Sequence, residues 1–329
     1  MKHPVICILA LVLFSNASML GQRSMAQDPS LNNLVHPEGY DPAELGTFGH
    51  VEERGQGPVP MILIPGGGFG WEVFESFMQR HQDDFTMYAV TLAGMGGTAA
   101  PPMPPQGTSY GERTWITGAL EALKSLIRQR ELDRPVVAGH FLEGAHVALE
   151  MAIRHPDMIR SAVILGGSAK FANPQYEAYT LEQRIRYYDT QMAPNWFKTV
   201  TLKTWNDNNF PASSYSNQAQ VAERLYEQVS KGPLQIYVRY LLEFWSGDPT
   251  LEFGSIEVPV LVLMPSFSEQ YLKEMDAPWL DHYFVVSWKG AEANPLIGRT
   301  AIPDAHIFVW LDNPQAVDEA IAGFLAKKE

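Results

Sequence analysis

The residues best suited to chemistry sit where apolar runs end. Pro135-Val136-Val137-Ala138-Gly139-His140-Phe141-Leu142-Glu143-Gly144 reads as a buried strand entering a glycine-flanked turn, and Val147, Leu149, Met151 and Ile153 carry a helix out of it. Such a turn holds its tip residue, here Phe141, in a backbone conformation that costs a non-glycine side chain about 1–3 kcal/mol. A phenyl ring has no nucleophilic atom. Either the ring justifies that strain by packing, as a plug or as an apolar wall for a ligand, or the turn relaxes and the position has simply decayed. Glu143 opens the helix, where a side chain either crowds the strand behind it or points into the mouth of a cleft. In a cleft it suits displaced general acid or base work; on a helix start it is a solvated carboxylate favoured by the dipole.

Two further stretches have the same character. Met61-Ile62-Leu63-Ile64 is an apolar strand that stops at Pro65-Gly66-Gly67-Gly68-Phe69-Gly70, a loop whose glycines let backbone N–H groups face a cleft unobstructed. Near the C-terminus, Ile302-Pro303-Asp304-Ala305-His306-Ile307-Phe308 places an imidazole ahead of a helix opened by Asn313-Pro314. His140 and His146 flank the turn and read as packed or hydrogen-bonded core residues.

The elements that position these residues alternate. Strand patterns at Thr47 to Glu53, Met61 to Ile64, Phe85 to Leu92, Val136 to Gly139, Ala162 to Leu165 and Val258 to Met264 are separated by helical patterns around Trp71 to Met78, Trp115 to Gln129 and Val147 to Ile153. That order predicts an α/β fold with a mostly parallel sheet flanked by helices. The last strand is either Tyr283 to Trp288 or the residues just before Pro303, and a helix closes the chain over Val317 to Leu325. Residues 171–253 break the alternation: they are rich in aromatics and helical in pattern, either an insert above the sheet or the core of a separate helical domain.

At the N-terminus, Lys2, an apolar run from Val5 to Phe14 and Ser24-Met25-Ala26 have the order of a secretory signal over residues 1–26. The apolar run is too short to span a bilayer. The expected location is therefore secreted or periplasmic, with no stable membrane anchor after cleavage. Residues 27–45 read as a polar, proline-punctuated arm. The one cysteine, Cys7, lies inside the signal, so the mature chain offers no disulfide and no thiol nucleophile. A net charge of −13 argues against nucleic acid and anionic membranes as partners. No metal-ligand spacing, phosphate loop or dinucleotide fingerprint occurs, so no cofactor is expected.

In its elbow, glycine loop, terminal histidine and strand–helix order the chain resembles the α/β-hydrolase family across residues 46–329. The resemblance implies core segments at 46–170 and 254–329 with a helical cap at 171–253. It implies an oxyanion hole made by Gly67, Gly68 and the N–H of Leu142, with His306 as the retained base. It also exposes departures. Phe141 stands where the family keeps its serine, and Glu143 where it keeps the elbow's second glycine. Pro265-Ser266-Phe267-Ser268-Glu269 offers no aspartate at the usual acid position, leaving Glu269 as the nearest carboxylate. The function expected from this pattern is a catalytically degenerate family member that binds a small apolar or ester-like molecule, or a partner, under the cap. The alternative is a hydrolase or lyase-like enzyme that uses His306 as general base without a covalent serine.

Overall fold

The computed structural model describes residues 41, 46–173, 178–275, 277 and 279–326. The signal-like stretch and nearly all of the arm lie outside them. Among the described residues seven strands form one sheet: β1 (Phe48–Arg54), β2 (Val59–Ile64), β3 (Phe85–Leu92), β4 (Val136–His140), β5 (Ser161–Leu165), β6 (Val260–Met264) and β7 (Ile297–Ala301), in the order β1-β3-β2-β4-β5-β6-β7. Only β1 runs antiparallel, pairing Val51 with Val90; every other pair is parallel. The central strands are covered on both faces, which is why their sequences are near-continuous apolar runs. Met61, Leu63, Ala138 and Leu165 pack into the layer on one face, and Ile62, Ile64, Val137 and Ile164 into the layer on the other.

The helices are α1 (Glu75–Arg80), α2 (Thr114–Gln129), α3 (Glu143–Arg154), α4 (Leu181–Tyr187), α5 (Ala193–Thr199), α6 (Leu202–Asn208), α7 (Ala212–Tyr215), α8 (Ala219–Ser230), α9 (Leu234–Trp245), α10 (Glu269–Glu274), α11 (Trp279–Phe284), α12 (Val309–Asp312) and α13 (Pro314–Ala326). Helices α4 to α9 all fall between β5 and β6. Of the two placements for the last strand, the structure takes the one before Pro303. Tyr283 to Trp288 is helical instead, because Leu280, Tyr283 and Phe284 bury one helical face of α11.

The α4–α9 segment is fastened to the sheet layer through a buried carboxylate. Glu243 of α9, wholly buried, accepts from the N–H groups of Trp115 (2.8 Å) and Ile116 (3.0 Å) and from the Thr114 hydroxyl (3.1 Å), so it caps the start of α2 from another helix. Its counter-ion, Arg239, lies one turn earlier and donates to it at 2.7 Å. The arrangement leaves neither charge of the pair alone.

Candidate functional site

The elbow is formed as its glycines require. A Cβ on Gly139 would lie 2.1 Å from the Gly144 carbonyl oxygen, and one on Gly144 would lie 2.3 Å from that of Ile64. These contacts let α3 sit close on β2 and β4. Gly144, one residue beyond Glu143, supplies the close approach, so Glu143 is tolerated without prising helix from strand. Phe141 takes the turn's tip with φ +65°, the left-handed region that a bulky side chain rarely adopts. Packing offsets the strain. The ring is buried, stacked parallel to Phe284 at 6.0 Å and edge-on to Phe210 at 4.9 Å. It also covers the glycine loop, since a Cβ on Gly67 would meet its Cδ1 at 2.3 Å.

Glu143 is 2% exposed, not a solvated helix-start carboxylate. Its Oε2 accepts the N–H of Gly67 at 2.7 Å. Gly67 and Gly68 have φ values of +67° and +91°, so the loop does turn its amide inward; the group it meets is the protein's own carboxylate. Burial pushes the Glu143 carboxyl above the usual carboxylate range, against the pull of the Gly67 hydrogen bond. Tyr237 of α9 lies over Gly68, and burial, with Glu143 nearby, pushes its phenol up to about 12. Leu142, the third residue expected at the hole, lines the same cleft.

That cleft, about 870 Å³ with the solvent at its mouth included, lies between the elbow, the glycine loop and the α4–α9 segment. Trp205, Phe210, Leu241, Trp245 and Tyr283 make much of its wall, with Asn208 and Asn209 among the polar groups. Sequence reasoning missed Tyr237 and the Gly67–Glu143 bond. The signal for the bond was present, as one carboxylate in an otherwise apolar and glycine-rich elbow.

His306 is not among the residues lining this cleft. Its ring packs against Phe267 (4.9 Å) and Tyr271 (4.5 Å), and Nδ1 donates to the Ser213 carbonyl at 2.6 Å, so a backbone dipole takes the place of an orienting carboxylate. Among the described residues no ring contact joins it to Phe141; the ring path between them runs through Phe267 and Phe284. Its loop is stitched to α7, with Ile307 N–H donating to Ser214 O and Phe308 N–H to Tyr215 O. The structure does not bring Glu269 to this imidazole. Glu269 is exposed at the start of α10, and of the segment after β6 it is Phe267 that packs on the histidine.

The flanking histidines divide. His146 is wired at both nitrogens, Nε2 to the Ala169 carbonyl (2.8 Å) and Nδ1 to Arg113 (3.0 Å), and burial beside Arg113 lowers it to about 3. His140 is wholly buried with neither nitrogen partnered, and burial alone holds it neutral.

Residues 61–320 match the alpha/beta hydrolase family. The chain belongs to that family. It is 30% identical over 116 residues to the 2-(acetamidomethylene)succinate hydrolase of Mesorhizobium japonicum, covering 35% of this chain and 38% of that protein. It is 24% identical over 156 residues to a pimeloyl-[acyl-carrier protein] methyl ester esterase of Vibrio vulnificus, covering 47% and 55%. The matched parts therefore span little more than half of these relatives at most. Among solved structures, the enol-lactonase of Burkholderia xenovorans superposes with a TM-score of 0.59 at 15% identity, covering 84% of this chain and 96% of that one, which establishes the shared fold.

The Glu143–Gly67 contact has a measurable consequence for stability. With its carboxyl pushed up, the folded chain holds the Glu143 proton more tightly than the unfolded chain does. Stability attributable to this group is then full below pH 4.5 and is lost as the pH rises toward the folded value. Glu143→Gln keeps an acceptor for Gly67 and does not titrate. It is expected to raise the melting temperature at neutral pH, the gain amounting to about 1.4 kcal/mol for each pH unit between those two values and vanishing in acid. A gain that is independent of pH would contradict this assignment.

Proposed function

We propose that this chain is a non-hydrolytic member of its family that holds a small apolar molecule in the cleft beneath the α4–α9 segment, and that it does so outside the cytoplasm. The observation that carries the reading is the 2.7 Å hydrogen bond from Gly67 N–H to Glu143 Oε2. In an acyl-transfer site that amide must be free for the oxyanion of a tetrahedral intermediate. Here a carboxylate occupies it, and a second negative oxygen beside the first is repelled. Phe141 supports the same reading, since the position raised toward the cleft carries a ring and no nucleophile. The environment of His306 supports binding over general-base chemistry at the elbow, because the imidazole packs on Phe267 and is not among the residues lining the cleft. The relatives are named as hydrolases, an esterase and a lactonase; the proposal is that this chain keeps their architecture without their reaction. The first 26 residues support export.

The test is ligand-induced stabilisation. An apolar alcohol such as 2-phenylethanol, at one hundred times its dissociation constant, is expected to stabilise the chain by about 2.7 kcal/mol. Leu241→Trp, which fills the cleft from α9, is expected to remove the effect. Absence of a melting shift across a panel of apolar alcohols, esters and terpenes would overturn the binding reading.

A further inference from the structure

The composition of the cleft wall narrows the ligand class. Of the described residues lining it, none is Lys, Arg or His, and Glu143 is the one carboxylate. The same cleft is walled by Trp205, Phe210, Trp245, Trp279 and Tyr283. Aromatic faces attract a cation through the ring quadrupole, most strongly when it has left water, and hold neutral molecules only by apolar contact. An anion meets the opposite: a negative oxygen at Glu143 and no basic side chain to offset it.

From this juxtaposition of a lone buried carboxyl with an aromatic wall, we infer that the cleft takes an organic ammonium ion with an apolar body. The inference rests on the cleft being a binding site, and it names the charge of the occupant. A bound ammonium also resolves the position of Glu143. That carboxyl is buried with backbone N–H groups of Gly67 and of Glu143 itself as its hydrogen-bond donors and, among the described residues, no counter-ion, and burial pushes it up. A cation within a few ångströms favours its charged form. The Gly67 amide then acts as a support that holds the carboxylate facing the guest. The net charge of −13 draws the same class of ligand toward the protein from solution.

Calorimetric titration of the purified chain with three probes of similar size separates the outcomes: benzyltrimethylammonium, benzyl alcohol and phenylacetate. The cation is expected to bind about tenfold tighter than the alcohol, with the anion weakest. Glu143→Gln, which preserves the Gly67 acceptor, is expected to erase most of the cation's advantage and leave the alcohol's affinity within about twofold. Alcohol binding equal to or tighter than cation binding in the parent chain would overturn the ammonium inference while sustaining an apolar cleft. An undiminished cation preference in Glu143→Gln would remove Glu143 from the account and overturn it as well. Failure of all three probes to bind would reject both this inference and the binding reading beneath it.

Discussion

Replacing His140 by leucine is expected to make the chain more stable, by about 1–3 kcal/mol at neutral pH. The imidazole is completely buried with both nitrogens unpartnered, caged by Phe308 at 4.4 Å, Trp310 at 4.7 Å and Phe141 at 5.6 Å. Folding strips water from two polar atoms and returns no hydrogen bond. Leucine has nearly the same volume and no polar atom, so it removes that penalty without opening a cavity. The advantage should grow in acid. The unfolded chain takes up a proton at His140 as the pH falls through 6.5, while the caged ring stays neutral well below that value. The parent's stability is therefore fully present above pH 6.5 and declines below it, by about 1.4 kcal/mol per pH unit from this group, and the variant lacks that decline. Denaturant titrations of both proteins at pH 7.5 and 5.0 measure the two components. A destabilised variant, or a difference that does not widen at pH 5.0, would show that the ring has a partner. The same substitution at His146 has no such benefit, because it would leave Arg113 and the Ala169 carbonyl without their imidazole.

Glu243→Ala is expected to lose about 3–5 kcal/mol of stability, the effect of stranding one member of a buried ion pair. Arg239, itself buried, loses the carboxylate that balances its charge, and Trp115 and Ile116 lose the acceptor for their N–H groups at the start of α2. Because α9 also carries Tyr237 and Leu241 to the cleft, ligand binding should weaken alongside stability. Glu243→Gln, which can still accept from α2, should lose less. A cost below about 1 kcal/mol for the alanine variant would mean that the helical segment is held chiefly by its apolar contacts.

The parts of this fold most legible in the sequence are those whose local pattern and final environment agree. Met61 to Ile64 and Ala162 to Leu165 are covered on both faces, so each reads as an unbroken apolar run. The strand β7 hides for the opposite reason: Ile297-Gly298-Arg299-Thr300-Ala301 lies at the sheet edge with only its first residue buried, and nothing apolar advertises it. At the site, glycine spacing located the elbow and the amide loop. What the Glu143 side chain meets was not legible, because β2 and β4 are brought side by side by sheet pairing, and residues 67 and 143, which follow them, are 76 positions apart. His306 shows the reverse. Its sequence setting fits a catalytic base, yet the backbone of α7 at Ser213 claims the ring nitrogen, a contact no sequence spacing encodes.

With Glu143 accepting from Gly67 and Phe141 at the turn's tip, the elbow is expected to do no hydrolysis. Steady-state cleavage of 4-nitrophenyl butyrate by the purified parent chain, with His306→Ala measured beside it, is the decisive experiment. The expected result is a rate for the parent no greater than that of the variant, both at the level of buffer. Turnover by the parent that His306→Ala abolishes would contradict it, and would mean that the carboxylate leaves Gly67 and the histidine reaches the substrate when an ester binds.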